Sequence, residues 1–466
     1  MIFIFNSKDR PAFNPMRETE IESGKIRGIA GGNPICTVFK GIPFAAPPVG
    51  KNRFRAPQPV EPWEGVRDCI EFGPAAMQPD RSYEPVTGMD MYLTPYRISE
   101  DCLYLNVWTP AETKEDKLPV IFWTHGGGNF GGFGHEPEND GEGFARRGVI
   151  LVTYNYRLNA FGFLAHPELS AEDPNGVSGN YAVLDAIAAL DWTRRNIAAF
   201  GGDTDNITIA GQSAGAIMTM CLCTSPLSKG KFAKAIFHSS VLTGKEKKGL
   251  VPGEVPTLRE AEKLGVRFME SRGCSSIEEL RALPAEEILR QRESFDYKYS
   301  LGQIVDGYVL KRPYADAMGD GEMPDLPYIC SYTSDEFLPE GVVHQVITDG
   351  ARLFLENQLV LGRKPAYGFR FSRPMPGDDK GAWHTADLFY LFETIDRTWR
   401  PMTGYDYELS KRFADYWCNF AKNGDPNGSG LPYWTPFTKD CRKIMDLGTS
   451  NCMIDAYPVV EEGYKL

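Results

Sequence analysis

The apolar positions of this chain come in short runs broken by glycine and proline, a pattern of many strands and helices rather than of one long rod. Residues 1–110 read as short strands and turns, and the alternation from Leu103 to Val107 predicts a strand that Pro110 ends. Leu118 to Thr124 is a short apolar strand that stops before Gly126-Gly127-Gly128. Between Gly148 and Tyr156 the β-branched run Val-Ile-Leu-Val-Thr predicts a central parallel strand buried on both faces. From 179 to 199, Val183, Leu184, Ile187, Leu190, Trp192 and Ile197 leave almost no polar face, which predicts a helix inside a large domain. Phe200-Gly201-Gly202 supplies its stop. Asn206 to Ala210 is a further strand, and Gly211 to Gly215 turns it into another helix. Residues 256–295, rich in Glu, Arg and Leu, read as exposed amphipathic helices. Tyr328 to Tyr332 and Tyr367 to Phe371 are strands, and the tail from Trp434 is short strands and turns. Strand and helix in alternation predict an α/β fold, a mostly parallel twisted sheet with helices on both faces.

Composition narrows the function classes. With 42% hydrophobic and 24% charged residues among 466, the chain is neither disordered nor a disulfide-dense mini-scaffold. Fifty basic against 62 acidic residues give a net charge of -12, and no basic block is present. Nucleic acid is thereby excluded as a partner, and an acidic surface repels anionic membranes. The N-terminal MIFIFNSKDRPAF has no basic n-region, and its apolar run is too short for a secretory leader. No stretch approaches the ~20 apolar residues of a membrane helix, so the expected location is the cytoplasm. Ten cysteines without a Cys-x-x-Cys pair predict neither a disulfide framework nor a structural metal. Cys221 and Cys223 read as buried packing, and no cofactor is implied. With no repeat and no long linker, 1–466 is expected to form one domain, with 245–300 and 337–365 as cap or insert segments.

The chemistry concentrates at Gly211-Gln212-Ser213-Ala214-Gly215. Gly-x-Ser-x-Gly between a strand and a helix projects a serine from a strained turn, where glycines two before and two after let the two elements approach. The N-terminus of the following helix favours developing negative charge. His125-Gly126-Gly127-Gly128 after the Leu118–Thr124 strand offers backbone N–H groups that can sit about 2.7–3.1 Å from a tetrahedral oxyanion, together with the amide of Ala214. The phosphate-cradle alternative lacks a Gly-Lys-Ser/Thr ending. His125 reads as structural.

A serine hydroxyl needs an adjacent base. The chain has six histidines, His125, His135, His166, His238, His344 and His384. In the order serine, acid, histidine only His344 and His384 lie far enough downstream. His384, in the turn Gly381-Ala382-Trp383-His384, suits an oriented loop base, while Val-Val-His344-Gln-Val reads as ordinary surface. The acid belongs at a strand end, and Asp335 and Glu336 after Tyr328–Tyr332 both qualify. Asp306, in an Asp-Gly pair, is a third candidate that also reads as a turn.

These residues resemble the type-B carboxylesterase family of the α/β-hydrolase fold. The resemblance covers most of the chain. It runs through Phe39-Lys40-Gly41-Ile42-Pro43-Phe44-Ala45, Pro47-Pro48-Val49-Gly50, Glu100-Asp101-Cys102-Leu103-Tyr104-Leu105-Asn106-Val107-Trp108 and Asn155-Tyr156-Arg157-Leu158. Phe200-Gly201-Gly202-Asp203, the serine pentapeptide and Asn419 to Asn427 follow in family order. The resemblance implies Ser213 as nucleophile, Glu336 as acid and His384 as base. Gly127 and Gly128 with Ala214 become the oxyanion hole.

Some positions depart from the family. Phe337 replaces the glycine after the acid, Asn159 stands where glycine is usual, and Val241 stands where a serine behind the triad is common. Ala76 replaces the cysteine that often pairs with the one at 102, so Cys102 is expected to stay a free thiol. Only 48 residues separate Glu336 from His384, which implies a reduced helical cap and a more open cleft.

The implied activity is hydrolysis of small to medium apolar or aryl carboxylic esters through an acyl-enzyme. The same triad could serve an amidase or peptidase, and a third reading is a binding module without catalysis. Trp383, Phe337 and Phe130 flank the motifs, either as pocket lining or as ordinary packing.

Overall fold

Seven strands run parallel through the middle of one large twisted sheet. Across it lie Met453–Asp455, Lys443–Leu447, Tyr367–Phe371, Tyr328–Thr333, Lys234–His238, Gly202–Gln212, Leu118–Thr124, Ile150–Tyr154, Tyr104–Thr109, Thr37–Pro43 and Ile29–Ala30. Pairing is parallel from Lys443–Leu447 to Ile150–Tyr154 and antiparallel at both margins. A second sheet of Glu18–Ile21, Gly24–Arg27 and Val66–Asp68 lies near the start of the chain. This is the α/β-hydrolase architecture. The coordinates are a computed structural model and describe residues 15–82, 84, 88–91, 96–240, 255–290, 301–337 and 341–456. The N-terminal run read above for a leader, Val241, and parts of 245–300 and 337–365 lie outside the described residues, as does the side chain of His344.

Alternation along the strands explains the two cores. In Leu118–Thr124, Val120 and Phe122 join the core on one face, and Ile121 and Trp123 the core on the other. Lys234–His238 repeats this, with Ala235 and Phe237 opposite Ile236. Both faces are covered, so the strands read as unbroken apolar runs. Each buried Val, Ile or Phe among them contributes about 1.5–3 kcal/mol relative to exposure.

The helix expected over 179–199 spans Tyr181–Asn196, and a 3-10 turn carries it to Phe200. Gly201 at φ 77 ends it in the left-handed region. Its Asp185 forms a buried ion pair with Arg157, locking the Asn155–Leu158 segment to the helix. Ile150–Tyr154 is buried on both faces, but it pairs parallel with Leu118–Thr124 and antiparallel with Tyr104–Thr109. The strand before the serine is longer than its apolar run, because it starts at Gly202, which pairs with Leu118, and an irregularity in register precedes Ile207. Leu258–Ser271, Ile277–Ala282 and Ala285–Leu289 are helices, and Phe268, Ile277, Leu280 and Ile288 pack with Phe54 and Phe161. In the stretch after Glu336, the helix Gly341–Val360 sets Phe354 against Phe237 and Tyr328 of the sheet.

The long helix Gly404–Asn423 is absent from the pattern reading above. It is capped by Thr403 and Asp406, ends at Gly424 with φ 76, and lays Phe413 and Trp417 on Phe369. Among the described residues no helix is long and apolar enough to cross a membrane.

Candidate active site

The sheet brings the sequence motifs together at its carboxyl edge. After Leu118–Thr124 the chain passes to Ile150–Tyr154 on one side, then returns to Gly202–Gln212 on the other. The strand order therefore reverses between Leu118–Thr124 and Gly202–Gln212, the place where open α/β sheets form their binding crevice. In register, Thr124 faces Gly211, Gln212 faces His238, His238 faces Ser331 and Thr333 faces Phe371. Loops carrying Gly126–Gly128, Ser213, Glu336 and His384 leave from this edge.

Ser213 alone joins the Gly202–Gln212 strand to the Ala214–Thr224 helix, at φ 55 and ψ −125. Such a backbone costs about 1–3 kcal/mol in a non-glycine residue and persists only where its surroundings hold it. They do so by close approach. A Cβ at Gly215 would lie 2.1 Å from the carbonyl oxygen of Thr124, and one at Gly211 would lie 2.3 Å from that of Gly215. The Ser213 N–H donates to the carbonyl of His238 at 2.9 Å. The serine itself stays partly exposed.

His384 Nδ1 is hydrogen-bonded to Glu336 Oε2, and the Glu336 side chain is wholly buried. A second carboxylate oxygen, Oε1, accepts the backbone N–H of Thr333 at 2.8 Å, which fixes the acid against the end of its own strand. Facing a carboxylate, Nδ1 carries the proton of the neutral ring and Nε2 is left as an acceptor. Nε2 lies 3.1 Å from Nε2 of Gln212, whose amide donates to it. Among the described residues His384 makes no hydrogen bond to Ser213.

The other acid candidates sit elsewhere. Asp335 Oδ2 accepts the N–H of Ala382 at 2.8 Å, and its own N–H donates to the Ala382 carbonyl at 3.2 Å. It clamps the His384 loop by its backbone. Asp306 Oδ1 accepts the N–H groups of Tyr308, Val309 and Leu310, the turn that an Asp-Gly pair suggests.

Gly127 and Gly128 take φ values of 100 and 66, turning their peptides at the mouth of the site. Among the described residues the N–H groups of Gly127, Gly128 and Ala214 have no protein acceptor. Arg81 packs beneath this loop, with its guanidinium 5.3 Å from the Phe130 ring centroid. His125 is buried and stacked on Tyr156 at 4.4 Å, with Nδ1 2.9 Å from the Gly126 carbonyl oxygen. Burial pushes its pKa down to about 3, so it stays neutral.

The aromatic residues beside the motifs separate into different environments. Trp383 is in the core against Arg400. Phe337 is 42% exposed at φ 48, and its ring centroid is 4.1 Å from that of His384. Phe337 thus holds a left-handed conformation that glycine adopts most readily. Asn159 likewise takes φ 55, with its Nδ2 donating to the Met77 carbonyl at 3.1 Å. Cys102, Cys221 and Cys223 are buried free thiols.

Sequence reasoning missed three participants. Gln212 passed as the variable residue of the pentapeptide, although a polar side chain at a buried strand end is itself a signal. His238 and Asp387 form a fully buried pair at 2.9 Å. This ties the strand end under Ser213 to the helix Ala386–Leu391, which begins two residues after His384. A lone histidine in an apolar strand was the available clue.

The sequence matches the Carboxylesterase family over residues 15–349 and 344–462. It is 33% identical over 495 residues to the fumonisin B1 esterase of Sphingopyxis macrogoltabida, spanning 94% of this chain and 87% of that protein. It is 31% identical over 503 residues to the para-nitrobenzyl esterase of Bacillus subtilis (strain 168), spanning 95% and 97%. A solved PNB esterase superposes with a TM-score of 0.80 at 28% identity, covering 94% of this chain and 96% of the other. A carboxylesterase of Geobacillus stearothermophilus gives a TM-score of 0.78 at 30% identity over 94% and 98%.

Proposed function

The chain belongs to the carboxylesterase family and hydrolyses carboxylic esters, and from that premise we propose that Ser213, His384 and Glu336 carry out the acyl transfer. One observation carries the assignment. A histidine on a buried glutamate stands at the same sheet edge as a serine held at a strained strand-to-helix turn.

His384 Nε2 takes the proton of Ser213 as Oγ attacks the ester carbonyl. This requires Nε2 to exchange the Gln212 amide for the serine hydroxyl, a tightening common when substrate binds. Glu336 holds the ring with its proton on Nδ1 and stabilises the imidazolium. The carbonyl oxygen becomes an oxyanion that accepts from the N–H groups of Gly127, Gly128 and Ala214. The imidazolium then protonates the departing alcohol, leaving an acyl-serine. Water, deprotonated by His384, attacks the acyl carbon and releases the acid. The N-terminus of Ala214–Thr224 adds partial positive charge beneath the reacting centre.

The preferred substrates in this reading are small to medium apolar or aryl esters without strong negative charge. A net charge of -12 disfavours anionic esters, and the named para-nitrobenzyl esterase is a relative along nearly its whole length. All ten cysteines are free thiols, which supports a reducing, cytoplasmic setting.

Labelling with a fluorophosphonate followed by peptide mass spectrometry tests the nucleophile. The adduct is expected on Ser213, and Ser213→Ala is expected to lose about 10⁴–10⁶-fold in turnover. Labelling of another serine, or a Ser213→Ala enzyme with most of its activity, overturns the assignment.

A further inference from the structure

We propose that Phe337 is the specificity residue for the alcohol half of the ester, offering its ring to aryl or extended apolar leaving groups. This rests on the triad reading above. Among the described residues, Phe337 is a bulky side chain in the left-handed region, at φ 48, directly after the acid. A strained bulky residue at a functional site persists where something over-determines it. Burial does not explain it, because the side chain is 42% exposed. Its ring leans on the base instead, with centroids 4.1 Å apart and planes inclined by 32°.

The chemistry then decides which half of the substrate meets this ring. His384 must deliver its proton to the leaving oxygen, so that oxygen comes within about 2.6–3.2 Å of Nε2. The acyl oxygen is drawn the other way, toward Gly127, Gly128 and Ala214. A ring resting on the imidazole therefore borders the path of the alcohol substituent, not of the acyl chain. Its exposed part is apolar and its edge and face suit aromatic stacking. Trp383 and Phe130 do not share this position, since Trp383 is in the core and Phe130 lies against Arg81.

The test compares kcat/KM for the ethyl and 2-phenylethyl esters of butyric acid, whose alcohols leave with similar basicity. A second pair, ethyl butyrate and ethyl 3-phenylpropionate, varies the acyl side alone. Phe337→Gly suits the backbone conformation and is expected to fold with an unchanged or higher Tm. In it, the preference for 2-phenylethyl over ethyl should fall about three- to tenfold, the range of one aromatic contact. The acyl preference should stay within about twofold of wild type, and Phe337→Leu should fall between the two. An unchanged alcohol preference in folded Phe337→Gly, whether or not all rates drop together, overturns the proposal. So does a change in the acyl preference alone. Either result leaves the triad standing if Ser213 still takes the fluorophosphonate label, whereas loss of that label on Ser213 is the failure of the triad itself.

Discussion

Gly215→Ala probes whether the close approach of strand and helix creates the reactive turn. The added Cβ would lie 2.1 Å from the Thr124 carbonyl oxygen and 2.5 Å from that of His125. Both contacts are backbone, so no flexible side chain can yield. Carbon and oxygen need roughly 1 Å more than this to reach ordinary contact. The Ala214–Thr224 helix must therefore move away from the end of Leu118–Thr124. It carries Ser213 Oγ and the Ala214 N–H with it, away from His384 and from Gly127–Gly128. Misplacement on that scale costs about 10²-fold in rate. Overpacking costs about 1–3 kcal/mol in stability, offset by up to about 1 kcal/mol from alanine's better helix propensity. The expected variant is folded, lowered in Tm by a few degrees, and about a hundredfold slower on a chromogenic ester. Gly404→Ala is the control, since a Cβ there meets nothing within 4 Å. It should match wild type in both measurements. A Gly215→Ala enzyme within about twofold of wild-type kcat/KM refutes the argument that these glycines are needed for approach.

Two further outcomes follow from carboxylates other than the catalytic one. Asp335→Ala removes the acceptor for the Ala382 N–H, a bond of about 1 kcal/mol, and should lower kcat about fivefold or more with little change in KM. Asp335→Asn keeps an acceptor oxygen and should retain most of the rate, and equal losses in the two variants count against the clamp. Glu138 is buried beside Glu136, and burial first, then that neighbouring charge, raises its carboxyl well above the usual range. Its contribution to stability is complete below the unfolded-state carboxylate pKa of ~4.3 and declines as pH rises toward the folded value, by about 1.4 kcal/mol per pH unit. Glu138→Gln should therefore gain in Tm relative to wild type between pH 5 and pH 8, and a difference that stays constant over that range refutes the assignment.

The parts of the fold legible in the chain are those where one local rule suffices. The bounds of Leu118–Thr124 and Tyr367–Phe371 follow from apolar runs with turn residues at their ends. Gly201 was legible because only a left-handed residue ends that helix. Gly404–Asn423 is harder to see, although Leu409, Phe413, Trp417 and Phe420 fall at helical spacing and are buried. Its charged face masks that stripe, and its partners Phe369 and His238 belong to strands far away in sequence. The pairing of Ile150–Tyr154 was half legible. A doubly buried strand predicts neighbours on both sides but not that one of them, Tyr104–Thr109, runs antiparallel.

The acid shows most sharply where local reading ends. Asp335 and Glu336 are adjacent carboxylates in the turn that leaves the Tyr328–Thr333 strand. One of them faces the His384 ring and the other the backbone of its loop, and residue type cannot say which. The deciding contacts are made by distant atoms. Asp335 pairs with Trp383 as an isolated parallel bridge and exchanges hydrogen bonds with Ala382, which directs its side chain along the loop. That bridge turns Glu336 toward Nδ1, where Thr333 N–H holds its second oxygen. Both carboxylates therefore have work at the site, one orienting the ring and one holding the loop that carries it.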